Sequence, residues 1–262
     1  MAVYTDQTGR SMVLDHEPRR IISLVPSQTE LLHDLGLEEQ VAGITKFCVH
    51  PQAWFHSKPK IGGTKQVKVE AIHQLQPDLI IANKEENVKE QVEELARHYP
   101  VWTSDVNTLE DAYDMIAAIG NMTGKEAASA QIIRQITESF SRLPAIDYKL
   151  RTCYLIWREP YMTVGGDTFI HAMLEAAGFE NIFQHRRRYP ELSVEEVKEA
   201  GCEWLLLSSE PYPFRQKHVE ELQALLPGTR ILLVDGELFS WYGSRLLLAP
   251  DYFNRLRQQG CL

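Results

Sequence analysis

Short apolar runs alternate with segments of helical period along most of the chain. Ile21-Ile22-Ser23-Leu24-Val25 reads as a buried strand, and Pro26-Ser27-Gln28-Thr29-Glu30 opens a helix that continues through Leu35. Val41 to Ile44 is the next strand. Val69 to Leu75 is a short helix, closed by Pro77-Asp78 and followed by the strand Leu79 to Ala82. A helix over Val88 to His98 and a strand over Val101 to Thr103 complete the pattern. Strands separated by helices pair in parallel, so the pattern predicts an α/β fold.

The middle of the chain differs. Leu109 to Met122 has helical period and stops at Gly124. From Lys125 to Leu143 there is neither Gly nor Pro, and Ala128, Ile132, Ile133, Ile136 and Phe140 recur at helical spacing. At the rise of an α-helix that segment is a rod of about 28 Å, and Pro144 ends it. Alternation then resumes. Cys153 to Trp157, Trp204 to Leu207 and Ile231 to Val234 read as strands. Thr168 to Ala177, Val194 to Ala200, His218 to Leu226 and Pro250 to Gln259 read as helices.

The two ends resemble each other. Val69 to Ile81 lies over Val194 to Leu206 at an offset of 125 residues, each a short helix, a turn, an acidic residue and an apolar strand. Trp102 to Asp105 lies over Leu232 to Asp235 at an offset of 130. The pattern predicts two Rossmann-like α/β lobes, 1–123 and 145–262, joined by one long bridging helix over 124–144. A ligand cleft is expected where two such lobes face each other.

Composition narrows the function. The 262 residues carry 27 Lys+Arg against 36 Asp+Glu, a net charge of −9 that disfavours nucleic acid and anionic membranes as partners. With 44% hydrophobic residues the chain can bury a large core, and no apolar run approaches the length of a membrane span. Met1 to Arg10 has no basic region followed by an apolar stretch, so no leader is expected in the sequence as it stands. Removal of a leader would place the protein in the periplasm or cell envelope; a native Met1 start would place it in the cytoplasm. Cys48, Cys153, Cys202 and Cys261 are scattered without a CxxC pair, which argues against a disulfide framework or a zinc knuckle.

An ordered set of segments carries a resemblance. They are Arg20-Ile21-Ile22-Ser23-Leu24-Val25-Pro26-Ser27-Gln28-Thr29-Glu30, Ile61-Gly62-Gly63-Thr64, and Glu70 through Asp78-Leu79-Ile80-Ile81-Ala82. In the second half they are Gly165-Gly166-Asp167-Thr168-Phe169, Ala177-Gly178-Phe179-Glu180-Asn181-Ile182 and Leu192-Ser193-Val194-Glu195-Glu196-Val197. The chain resembles the substrate-binding proteins of bacterial ABC importers for iron–siderophore, haem and vitamin B12, from about Asp6 to Leu256. The resemblance implies two lobes on one long helix and a ligand held between them. It also implies an acidic residue on each lobe that docks on the importer's permease, by motif position Glu70 and Glu195. Ser193-Val194-Glu195-Glu196 is itself a capping box, which engages Glu196 in its own helix and leaves Glu195 outward. The expected ligand is an iron chelate, haem or a corrinoid, with no tightly held cofactor.

Open α/β sheets bind ligands on the loops after their strands. On those loops the candidate binding residues are Ser27, Lys46, Phe47, Lys65, Lys84 and Glu85 in the first half. In the second they are Trp157, Arg158, Tyr161, Arg187, Tyr189, Tyr212, Trp241, Tyr242 and Arg245. The aromatic side chains offer walls for a large flat ligand, and the arginines, including Arg186 and Arg188, can pair its carboxylates or phosphates. Lys84 with Glu85 reads either as a polar ligand contact or as an internal ion pair. Cys48 and His50 are two potential metal ligands, fewer than a closed site needs. Two other functions stay open: a cytoplasmic carrier or sensor on the same fold, and an enzyme using Asp105, Asp167, Asp235, Glu85 or Glu159. The chain has no G-x-S-x-G, H-E-x-x-H or Walker-type motif to support the second.

Overall fold

In the computed structural model, which describes residues 1–145 and 148–259, the runs Ile21–Ser23 and Leu79–Asn83 are buried at every position. That is the signature of parallel strands covered by helices on both faces. The first unit of the chain comprises Met1–Val106, Glu110–Ile136 and Tyr242–Arg245. It holds β1 (Ala2–Thr5), β2 (Ser11–Leu14), β3 (Ile21–Ser23), α1 (Pro26–Asp34), β4 (Val41–Ile44), α2 (Gln52–Ser57), α3 (Val69–Leu75), β5 (Leu79–Asn83), α4 (Lys89–Leu95) and β6 (Val101–Ser104). Its four-stranded sheet has the order β4-β3-β5-β6, all parallel.

Two helices follow, α5 (Leu109–Met122) and α6 (Glu126–Ser141). They turn at Gly124, whose φ of +65° suits glycine. They pack closely because Gly120 has no side chain: a Cβ there would stand 2.1 Å from Ser129 Oγ. The 16 residues of α6 make a rod of about 24 Å. Its residues through Ile136 group with the first unit and those from Thr137 with the second.

The second unit comprises Asn107–Leu109, Thr137–Trp241 and the chain from Leu246 onward. Its strands are β7 (Leu150–Leu155), β8 (Tyr161–Met162), β9 (Phe179–Asn181), β10 (Glu191–Leu192), β11 (Trp204–Ser208) and β12 (Arg230–Val234). Its helices are α7 (Phe169–Ala176), α8 (Val194–Glu199), α9 (Gln216–Leu225), α10 (Glu237–Ser240) and α11 (Ala249–Gln258). The main sheet is again parallel, in the order β12-β11-β7-β9. Counted from the first strand of each sheet, both units have the order second, first, third, fourth. The sequence offset of 125 therefore corresponds to one topology built twice, with α3–β5 in the place of α8–β11.

Some elements escape the sequence pattern. The antiparallel hairpin β1–β2 has mixed polarity and is held by Asp6. The buried Asp6 carboxylate accepts from the Thr8 and Arg10 amides at 2.9 Å and from the Thr103 amide at 3.3 Å, tying the hairpin to β6. The small pair β8–β10, the strand β9 and the short helices α2 and α10 are too short to show a period. Cys48, Cys153 and Cys202 are free and buried; Cys261 lies outside the described residues.

Candidate functional site

The carboxyl edge of each parallel sheet carries a set of loops, the usual place for ligands in this architecture. In the first unit two asparagines build that edge. Asn83 Oδ1 accepts from the Glu85 amide at 2.8 Å and the Glu86 amide at 3.0 Å, while its Nδ2 donates to Ser104. Asn87 Oδ1 accepts from the Asn83 amide at 2.8 Å, and its Nδ2 donates to the Leu24 and Thr64 carbonyls. The loops after β3 and β5, the segment before α3 and the end of β6 are thereby drawn together, which spacing alone does not reveal. Ser27 is buried at the start of α1. Phe47 is 51% exposed, with the Lys46 ammonium 5.0 Å from its ring centroid. Lys65 donates to the Glu85 carbonyl. Lys84 pairs with Asp105, the carboxylate beyond β6, at 2.5 Å.

A segment from late in the sequence joins this edge. Tyr242–Arg245 groups with the first unit, and the Arg245 guanidinium forks onto Glu30 of α1 at 2.7 and 2.5 Å. Both side chains are largely buried. Gly243 lies against α1, where an added Cβ would meet Ser27 O at 3.3 Å. Arg245, expected to reach a ligand carboxylate, is thus engaged by a carboxylate of its own chain. Glu30 sits within the quoted motif, yet nothing local marks it as the partner of a residue so distant.

In the second unit the loops after β7 and β11 meet. The Tyr212 amide donates to Ile156 O at 3.3 Å. Trp157, 40% exposed, stands edge-on to Tyr212 with ring centroids 5.7 Å apart. Tyr212 continues into Phe214 at 4.8 Å and His218 at 5.5 Å. Arg158 pairs with Glu221 at 2.9 Å and acts electrostatically on Tyr161. Burial pushes the Tyr161 hydroxyl above its ordinary range. Trp157, Arg158, Tyr161 and Tyr212 are therefore brought together. Glu221 and His218 complete the cluster and went unnoticed in the sequence, because on a helical face both read as ordinary surface residues.

The arginine run lies on the Gly165-Gly166 turn. A Cβ on Gly165 would come within 2.4 Å of Arg186 O, and one on Gly166 within 2.3 Å of Gln184 O, so both positions exclude a side chain. Arg186 pairs with Glu196 at 2.5 Å. The Arg188 amide and guanidinium reach Asp167 at 2.6 and 3.0 Å, and its guanidinium lies 5.5 Å from the Tyr189 ring. Arg187 is exposed and Tyr189 half-buried. Trp241 and Tyr242 are 7% exposed, below the surface instead of forming a wall on it. The Trp241 indole N–H donates to Glu210 Oε1 at 2.9 Å.

Glu70 and Glu195 are exposed first-turn residues of α3 and α8, the equivalent helices of the two units. The capping box forms as the sequence implies: Ser193 Oγ accepts from the Glu196 amide at 3.2 Å, and Glu196 Oε2 accepts from the Ser193 amide at 2.7 Å. Arg186 and that cap hold the Glu196 carboxyl below its ordinary range. Cys48 is buried between Thr29 and Thr45, each hydroxyl 3.1 Å from Sγ. Burial raises its thiol, which disfavours the thiolate a metal would need. No group of three or more His, Cys, Asp or Glu suited to a metal occurs among the described residues. No helix among them is long and apolar enough to cross a membrane.

The family profile described as "Periplasmic binding protein" matches residues 21–225. The vitamin B12-binding protein of Vibrio parahaemolyticus is 28% identical over 193 residues, covering 71% of this chain and 70% of that protein. Among solved structures, the periplasmic vitamin B12-binding protein of Vibrio cholerae aligns with a TM-score of 0.77 at 19% identity, over 93% of this chain and 99% of that one. The periplasmic haem-binding protein of Vibrio cholerae aligns with a TM-score of 0.79 at 19% identity, over 91% and 98%. At these identities the structural likeness establishes the fold.

Proposed function

The chain belongs to the periplasmic binding protein family, and from that premise we propose that it is a solute-binding protein that captures a corrinoid for delivery to an ABC importer. The observation that carries the corrinoid over haem or a ferric siderophore is the state of the basic side chains on the two loop edges. Arg245 is matched by Glu30, Lys84 by Asp105, Arg158 by Glu221 and Arg186 by Glu196. An anionic chelate would have to compete with those carboxylates for the same cations. A corrinoid rimmed by neutral amides needs no such exchange. It needs apolar faces and hydrogen-bonding groups. Phe47 and Trp157 supply exposed rings, one on each unit. The vitamin B12-binding relative from Vibrio parahaemolyticus supports the same reading.

Three of the five carboxylates weighed as acid–base groups have structural partners. Asp105 holds Lys84, Asp167 accepts from the Arg188 amide and Asp235 from the Glu237 amide. We read the protein as a binder and not as an enzyme. Glu70 and Glu195, displayed from equivalent helices, are the proposed contacts to the permease.

Titration of the purified chain with cyanocobalamin, haemin and a ferric-siderophore panel, followed by tryptophan emission, tests the reading. Saturable quenching by cyanocobalamin at micromolar or lower concentration is expected. Saturation by haemin or a siderophore alone would move the substrate to that class. Flat titrations throughout would overturn the binding-protein assignment.

A further inference from the structure

Trp157 is an exposed ring of the second unit, beyond β7, and what holds it lies one layer below. It leans on Tyr212, whose hydroxyl lies 3.4 Å from His218 Nε2. His218 is 2% exposed, wedged against Tyr212 and edge-on to Phe214 with centroids 5.5 Å apart. Its other nitrogen is committed as well: Nδ1 accepts from the Arg215 amide at 2.9 Å. Arg215 is the N-cap residue of α9, so this bond satisfies an amide that the helix itself leaves open. Because Nδ1 accepts, the neutral ring carries its proton on Nε2 and donates to the Tyr212 oxygen.

We propose that His218 is the positioning residue of the Trp157–Tyr212 aromatic face, and that protonation of this one imidazole releases the face and with it the ligand. The proposal rests on the reading of Trp157 as a ligand contact. An imidazolium has hydrogens on both nitrogens, so Nδ1 can no longer accept from Arg215 and the cap is lost. The groups around the ring oppose its charging. Burial lowers its proton affinity most, followed by the cations Arg158, Lys217 and Arg215, with Glu221 alone pulling the other way. Tyr161 faces the same Arg158–Glu221 pair from β8. The sign follows. A buried ring that titrates below the ordinary 6.5 is neutral and bonded at neutral pH. Its contribution is lost as the pH falls from that ordinary value through the lowered one.

The test begins with the full chain and no ligand. Tryptophan emission is followed from about pH 8 to about pH 5. The difference between wild type and Trp157→Phe isolates Trp157. One step is expected, centred below 6.5. His218→Gln should abolish it, because an N3 glutamine can accept from the N-cap amide without titrating. Cyanocobalamin binding is then measured at neutral pH. His218→Ala should weaken it about tenfold, the loss of one buried hydrogen bond, and His218→Gln should restore it. A step that persists in His218→Gln, or wild-type affinity in His218→Ala, overturns the proposal. If the wild type binds no corrinoid, the corrinoid reading fails, and the ligand-free step still decides the role of His218.

Discussion

Arg20 and Arg151 occupy matching places in the two units, each sending its guanidinium into the open carboxyl end of the helix that displays an acid. Arg20 Nε donates to Leu75 O at 2.7 Å, behind α3 and Glu70. Arg151 Nη2 donates to Ala200 O at 2.7 Å, behind α8 and Glu195. Both helices end in a left-handed residue, Gln76 at φ +45° and Gly201 at φ +65°. The clamp is reciprocal. Asp78 accepts from the Arg20 amide and Glu203 from the Arg151 amide, each at 2.8 Å. Cationic groups at a helix carboxyl end also oppose its dipole.

Removing either guanidinium should loosen one helix and not the other. Arg20→Met is expected to cost about 1 kcal/mol and to speed amide exchange in α3, with α8 unchanged. Arg151→Met should do the reverse. Hydrogen exchange followed by peptide mass spectrometry reads both; uniform acceleration across the chain would contradict the local clamp.

The Glu30–Arg245 fork predicts strong coupling. Both groups are mostly buried, so deleting one removes the fork that balances the other's charge. Glu30→Ala and Arg245→Ala should each destabilise, and the double variant should fall short of their sum by about 1–2 kcal/mol. Urea unfolding of the four proteins measures this. An additive result would reduce the pair to a surface contact.

These pairs mark where the sequence stops being legible. Parallel strands such as Leu79–Asn83 announce themselves because both sheet faces are buried and the run is continuously apolar. The doubled topology is legible too, since one helix–turn–acid–strand phrase appears twice. Glu30 and Arg245 stand 215 residues apart, and no local pattern links them. The same holds for Trp241, whose indole N–H finds its acceptor on the distant Glu210. An aromatic at a strand end shows only that a ring is present, not whether solvent or the core receives it.

That distinction separates two tryptophan substitutions. Trp157→Ala, at an exposed ring, should weaken cyanocobalamin binding by about 1–3 kcal/mol while sparing stability. Trp241→Ala, at a buried ring hydrogen-bonded to Glu210, should cost about 3–5 kcal/mol of folding free energy. Binding titrations paired with urea unfolding resolve the two; equal effects on affinity alone would return Trp241 to the surface.

Cys48, Cys153 and Cys202 should be silent in the native protein. Burial raises the thiols of Cys48 and Cys153, and pushes Cys202 up to about 12. Each is therefore protonated near neutral pH, and the thiolate is the reactive form. Peptide mapping after treatment with a disulfide reagent should find these three thiols labelled in the native protein only as fast as it opens, and all three labelled at once in urea. Rapid native labelling of Cys48 would reopen it as a metal ligand.

The last expectation concerns Glu70 and Glu195 together. Each is an exposed first-turn acid, so neither supports the core and each gains only modestly from its helix dipole. Their substitution should therefore leave cyanocobalamin affinity and unfolding midpoints close to wild type. What should change is association with a permease in vesicles, where two separated charge contacts act together and the loss of both exceeds either loss alone. Because the contacts are exposed, raising salt should weaken wild-type docking and leave the double variant nearly indifferent. Measuring docking against salt for the wild type, both single variants and the double variant gives the answer. A double variant that docks like wild type would exclude these acids from the interface, and one that loses ligand affinity would place them in the binding site instead.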